Sequence, residues 1–164
     1  MNSNNKLIVV NIAEQSLSLF NNQQLIMEFS VATALKGAGE RRGSEQTPRG
    51  WHQIRARIGE HNPINTVFIG RRPTGEIYSP QLRSIYPHRD WILTRILWLS
   101  GLEKGRNRFG EVDTMARYIY IHGCPDDEPV GIPNSHGCIR MRNQELIKFF
   151  DNVSVGTKIN IIEK

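Results

Sequence analysis

The chain has 164 residues, 38% of them hydrophobic and 23% charged, the composition of one soluble globular domain. It excludes a disordered chain, which lacks this apolar fraction, and a membrane protein, which exceeds it. The formal net charge of +5 draws anions, but no RNA-binding or zinc-finger signature accompanies it, so Arg41, Arg42, Arg49, Arg55 and Arg57 read as a solvated basic face rather than a nucleic-acid site.

Residues 1–6 lead directly into a short apolar segment. There is no long apolar run, no small-residue cleavage site and no stretch able to span a bilayer. The expectation is a cytoplasmic protein with no membrane span, or a periplasmic one if a route without a visible signal exports it. Segments 7–12, 17–20 and 25–31 alternate or cluster in β fashion between short polar turns, which predicts an antiparallel meander. Residues 36–50 are rich in Gly, Arg, Glu and Ser and read as an exposed loop, with a strand resuming over 51–58. Turns are expected at Asn62-Pro63, Arg72-Pro73 and Tyr86-Pro87. Segment 91–99 reads as a strand from its β-branched and aromatic content. Residues 118–122 alternate, placing Tyr118, Tyr120 and His122 on one face and Ile119 and Ile121 on the core side. One helix is expected near the C-terminus, with Asn143 as N-cap, Glu145 in the first turn and Leu146, Phe149, Phe150 and Val153 at helical spacing. A last strand follows Gly156. With no repeat or linker, residues 1–164 form a single domain, mainly β, a sandwich or partly closed barrel with few short helices.

Chemistry concentrates around two cysteines. His122 ends its strand beside Gly123, where a side chain can leave the packed layer for a cleft. Ser135-His136-Gly137-Cys138-Ile139-Arg140 then places a thiol among small residues. At neutral pH only a few per cent of a free thiol is thiolate, and His122, His136 or Arg140 could raise that fraction. Gly137 lets the backbone approach a substrate closely, so the Gly137 and Cys138 N–H groups could converge on one oxyanion.

His122-Gly123 followed by Ser135-His136-Gly137-Cys138-Ile139-Arg140 resembles the signature of L,D-transpeptidase (YkuD-type) catalytic domains. Thr47-Pro48-Arg49-Gly50 resembles the family's Thr-Pro-x-Gly turn, and 117–121 its strand before the histidine. The resemblance implies a β-sandwich-like fold and a cysteine acyl-enzyme acting at the diaminopimelate–D-Ala bond of peptidoglycan stem tetrapeptides. It implies Cys138 as nucleophile and His122 as base, with the Gly123 carbonyl orienting the imidazole and the Gly137 and Cys138 amides as oxyanion hole. His136, Ser135 and Arg140 would shape the substrate pocket, Arg140 being suited to a carboxylate. No cofactor and no metal are implied; the partner is a peptidoglycan-derived peptide or muropeptide. A cytoplasmic member would meet recycled muropeptides and use water as acceptor, an L,D-carboxypeptidase, whereas an exported one would cross-link or exchange D-amino acids.

Other readings use the same residues. His122-x-Cys124 and His136-x-Cys138 offer a tetrahedral zinc set, though their spacing is short for a zinc knuckle. A Cys124–Cys138 disulfide would consume the nucleophile and is disfavoured in the cytosol. A noncatalytic basic binding module would need neither. Cys124 reads as a small buried hydrophobe, and His52, His61 and His88 as surface or satisfied polar residues. Trp51, Trp91 and Trp98 read as core or cleft-wall aromatics, and Asp126 and Asp127 as a solvated turn within reach of a substrate amine.

Overall fold

The computed structural model describes residues 5–164. The early alternation becomes the expected meander of β1 (Lys6–Asn11), β2 (Ser16–Asn21) and β3 (Gln24–Ser30). Ile8, Val10, Leu17 and Leu19 point from it into the core, because every second side chain of a strand takes the same face. The last strand, β10 (Lys158–Ile162), runs parallel to β1 and antiparallel to β4 (Gly50–Ile58). β4 then pairs with β7 (Ile92–Gly101).

β7 is the junction that positions the site. Beyond β4 it pairs with β5 (Thr66–Ile69), which forms a hairpin with β6 (Arg72–Ile77), and with β8 (Tyr120–Gly123). β8 in turn runs parallel to β9 (Ile139–Met141). An isolated bridge between Ala32, just past β3, and Arg140 of β9 brings the end of the meander against the β8–β9 branch, over the main apolar core. Helix α2 (Asn143–Phe150) drives Leu146, Phe149 and Phe150 into that core. The architecture is mainly β, with short helices, as the sequence predicts. Among the described residues no helix is long and apolar enough to cross a membrane.

Several local expectations are corrected. The hairpin turn sits at Gly70-Arg71, and Arg72-Pro73 instead opens β6. A short helix, α1 (Pro80–Ile85), is unforeseen; Ser79 Oγ caps it by accepting from Leu82 N–H, and Pro80 occupies the first turn, where a missing N–H costs nothing. β8 starts at Tyr120, because Tyr118 takes φ +58° and lies exposed. The N-cap of α2 is Arg142 and makes no side-chain cap bond. Within 36–50, Thr47 and Gly50 are buried rather than exposed. The arginine-rich stretch is partly ion-paired, Arg49 to Glu40 and Glu163, and Arg42 to Glu111.

Candidate active site

Strand β8 sends Ile121 into the main core, while Tyr120 packs on the opposite side against Phe68, Ile96 and Cys138. His122, two residues on, shares that side and is almost wholly buried. Its Nδ1 lies 2.6 Å from the Gly123 carbonyl oxygen. A carbonyl can only accept, so Nδ1 carries the proton and Nε2 presents its lone pair. Among the described residues that buried Nε2 has no hydrogen-bond partner. Burial pushes the imidazole pKa down, opposed by the Asp90 carboxylate and reinforced by Arg140, so His122 is neutral at neutral pH.

The backbone behind His122 is held by a polar cluster. Asn143 Nδ2 donates to the Cys124 carbonyl at 2.7 Å and to Asp126 Oδ1 at 3.1 Å, and its Oδ1 accepts from Thr94 Oγ1 at 2.6 Å. Thr94 sits where the β7–β8 register slips and has φ +77°, an outlier for a β-branched residue. Gly123 is required by close approach, since a Cβ there would lie 2.2 Å from Asn143 Oδ1. Asn143 therefore braces the strand end that carries His122 instead of capping α2.

The thiol segment is held in the same manner. Gly137 takes φ +133°, and a Cβ would press on Ile119 at 3.2 Å. Its carbonyl accepts from Thr47 Oγ1 at 2.9 Å, and that hydroxyl accepts from Ala34 N–H at 3.0 Å. Ser135 Oγ donates to the Cys138 carbonyl at 2.5 Å and accepts from Gly137 N–H at 3.2 Å. The expected pair of oxyanion amides is thus unequal: Gly137 N–H already has an internal partner, whereas among the described residues Cys138 N–H has none.

Cys138 Sγ accepts from Tyr120 N–H at 3.3 Å and donates to the Tyr118 carbonyl at 3.4 Å. His122 is not among its hydrogen-bond partners, although both line one cleft of about 460 Å3. Burial pushes the thiol up to about 12, against the Tyr120 amide and the charges of Arg140 and Arg117, with Asp90 adding to the rise. Both shifts run towards the uncharged forms, a thiol beside a neutral imidazole.

Asp90, which no sequence motif marks, organises the rest. Arg140 Nη2 donates to its Oδ1 at 3.0 Å and Nη1 to the Asn134 carbonyl at 3.0 Å. The Arg140 side chain is only 10% exposed, so a substrate meets a guanidinium that is already engaged. His136 is exposed, with Nδ1 4.0 Å from Asp90 Oδ2. A second cavity of about 330 Å3 shares Asp90, His136 and Arg140 as its wall.

Cys124 is buried, donates to the Met141 carbonyl at 3.6 Å and has its thiol pushed up to about 11 by burial. Both cysteines are free, and among the described residues no three His, Cys, Asp or Glu side chains group to hold a metal. His52 is buried and satisfied, bonding the Gly50 carbonyl and Thr114 Oγ1. Asp127 pairs with Arg83, while Asp126 serves Asn143. Trp91 is buried, Trp98 stacks by Tyr118 and Tyr120, and Trp51 is exposed.

The family model for the L,D-transpeptidase catalytic domain matches residues 5–161. The probable L,D-transpeptidase ErfK/SrfK of Escherichia coli K12 is 42% identical over 160 residues, covering 97% of this chain and 44% of the relative. The probable L,D-transpeptidase YbiS of the same organism is 36% identical over 110 residues, covering 65% of this chain and 35% of its own length. The chain thus spans less than half the length of these curated relatives. Among solved structures, L,D-transpeptidase 3 of Mycobacterium tuberculosis superposes with TM-score 0.59 at 13% identity, covering 97% of this chain and 61% of that one. An L,D-transpeptidase of Mycobacterium smegmatis gives 0.55 at 17% identity, covering 96% and 58%. These two likenesses concern the fold.

Proposed function

The chain belongs to the L,D-transpeptidase catalytic-domain family, and from that premise we propose that it works through a Cys138 acyl-enzyme on the diaminopimelate–D-Ala bond of peptidoglycan stem tetrapeptides. The observation that carries the reading is the buried, unpartnered Nε2 of His122 in the cleft that holds the Cys138 sulfur. A neutral imidazole nitrogen with a free lone pair, in the cleft of the nucleophile, is the acceptor that a general base must offer the thiol proton.

In the first half-reaction the Cys138 thiol proton passes to His122 Nε2 as the sulfur adds to the diaminopimelate carbonyl carbon. Rotation of the thiol away from the Tyr118 carbonyl precedes this, since the resting hydrogen bond points there. Charge developing on the carbonyl oxygen is met by Cys138 N–H, with Gly137 N–H shared between that oxygen and Ser135 Oγ. The tetrahedral adduct then expels D-Ala, which takes the proton from His122 and leaves a thioester. In the second half the acceptor gives its proton to His122 and attacks the thioester, and the sulfur departs to be reprotonated. With burial favouring the neutral thiol and the neutral imidazole, proton transfer accompanies attack in this reading.

Water as acceptor makes the chain an L,D-carboxypeptidase of muropeptides, the reaction open to it in the cytoplasm. Transfer to an amine is the second reading. The cavity that shares the Asp90–His136–Arg140 wall with the thiol cleft favours it by offering space for a second substrate. Incubation with disaccharide tetrapeptide, with and without a D-amino acid, followed by mass analysis decides between them. Tripeptide alone marks hydrolysis, and exchanged tetrapeptide marks transfer. Cys138→Ala should abolish both, together with the acyl mass adduct; D-Ala release that survives this substitution sinks the acyl-enzyme reading. A chain that only bound the peptide, with no release by the unsubstituted protein, would instead be a noncatalytic binding module.

A further inference from the structure

Three guanidinium groups reach the thiol cleft, those of Arg71, Arg117 and Arg140, and their commitments differ. Arg117 donates to the carbonyls of Gly39, Glu40 and Gln46 and to Ser44 Oγ. Arg140 is tied to Asp90 and Asn134. Arg71 makes one hydrogen bond, Nη1 to Tyr120 Oη at 3.1 Å, and among the described residues no carboxylate pairs with it. A guanidinium has five donors in a fixed fork, so most of this one is unspent.

The hairpin that carries Arg71 is built around its position. Ile69 and Arg72 pair across a two-residue turn, and both turn residues have positive φ, Gly70 at +58° and Arg71 at +65°. Turns of this type favour Gly or Asn at both places, because a Cβ is disfavoured in the left-handed region. An arginine in the second place carries its stem over the cleft. There its guanidinium carbon sits 4.7 Å from the Trp98 ring centre and 5.0 Å from that of Tyr118. The aromatic faces hold the cation in place without consuming its N–H donors.

Tyr120 links this cation to the reacting sulfur. Its backbone N–H donates to Cys138 Sγ, and its phenol accepts from Arg71, so the fork stands one tyrosine side chain away from the thiol. Arg71, Arg117 and Arg140 against Asp90 leave the cleft with net positive charge, which suits an anionic substrate. From the open fork, its aromatic mounting and this link, we infer that Arg71 is the receptor for a substrate carboxylate and Arg140 a positioning residue. The assignment rests on the tetrapeptide reading above. A stem tetrapeptide carries such a group on its terminal residue, on its D-Glu and on the diaminopimelate side chain.

Calorimetric binding of free-acid tetrapeptide, and of tetrapeptides amidated at one carboxyl each, to the full chain carrying Cys138→Ala tests this without turnover. On the free acid, adding Arg71→Gln should weaken binding about tenfold, the scale of one charge-assisted pair, and Arg71→Lys should recover part of it. One amidated peptide should bind the Arg71 protein as weakly as the free acid binds Arg71→Gln, and should be indifferent to that substitution; which peptide does so names the carboxylate. The comparison of free-acid with amidated peptides on the Arg71 protein needs no change in the hairpin, so a folding defect cannot imitate that half of the test. The inference is overturned if Arg71→Gln binds the free acid undiminished, if it weakens all peptides alike, or if the chain binds none of them. Arg71-dependent binding by a chain whose Cys138 form releases no D-Ala would keep the inference and discard the acyl-enzyme reading.

Discussion

The β1–β2–β3 meander and the 135–140 segment are held by opposite means. In β1 and β2 of the meander, apolar side chains are buried while the backbone pairs with the neighbouring strand. Around Cys138 the backbone turns, and side chains satisfy it: Thr47 holds the Gly137 carbonyl, Ser135 the Cys138 carbonyl, and Arg140 the Asn134 carbonyl. Apolar burial tolerates small shifts, since it has no direction. Hydrogen bonds to single backbone atoms do not, and a nucleophile needs that precision. Stability and reactivity should therefore separate by region when each is perturbed.

The largest effect is expected in the scaffold. Phe149 is fully buried in α2 and meets Phe29 edge-on, with ring centres 6.2 Å apart. Phe149→Ala should cost about 3–5 kcal/mol in urea unfolding, while kcat per folded molecule changes less than about twofold; a collapse of kcat would break the separation. Next comes His52, the buried histidine of β4, whose pKa burial lowers to about 4. A depressed histidine adds stability above its unfolded value, near 6.5, that is lost as the pH falls towards about 4, because the unfolded chain binds the proton first. Between pH 7.5 and 4.5 the folded state should lose roughly 2–3 kcal/mol through this group. His122, also pushed down by burial, adds to the same limb, so His52→Gln should flatten the loss without removing it. An unchanged slope would acquit His52.

How far the sequence could be read follows the same division. Alternation marked β1 to β3, β4, β7 and α2, because period-2 and helical burial leave traces in neighbouring residues. It failed at β6, where Pro73 and Gly75 mimic a loop, and at α1, which buries no residue. It misled at Tyr118, whose apparent place in the pattern hides a positive φ that turns its carbonyl to the sulfur. The site's motif residues were legible because they are close in the chain. Asp90 and Thr94 were not, since Thr94 meets Asn143 beside the β7–β8 pairing and Asp90 meets Arg140, each about 50 residues away in the chain. Thr47 was visible as part of a turn, but its task of holding Gly137, 90 residues away, was not.

Thr47 gives the finest test, since one hydroxyl there joins the two regions. It accepts from Ala34 N–H in the segment beyond β3 and donates to the carbonyl of Gly137, next to the nucleophile. Thr47→Val keeps the shape and removes both bonds at a fully buried position, leaving a donor and an acceptor without partners. The stability cost should be about 1–3 kcal/mol, no more than for the scaffold substitution. Its kinetic effect should exceed that of Phe149→Ala, because a shift of the Gly137 carbonyl moves the Cys138 amide and sulfur together. A displacement near 1 Å can cost about a hundredfold in rate. The expected signature is kcat down about ten- to a hundredfold with KM near its original value, since Thr47 lies outside the cleft lining, and Thr47→Ser should restore most of the rate. If Thr47→Val lowers stability but leaves kcat intact, Gly137 is held by its remaining contacts, and the polar framework around Cys138 is scaffold like the rest.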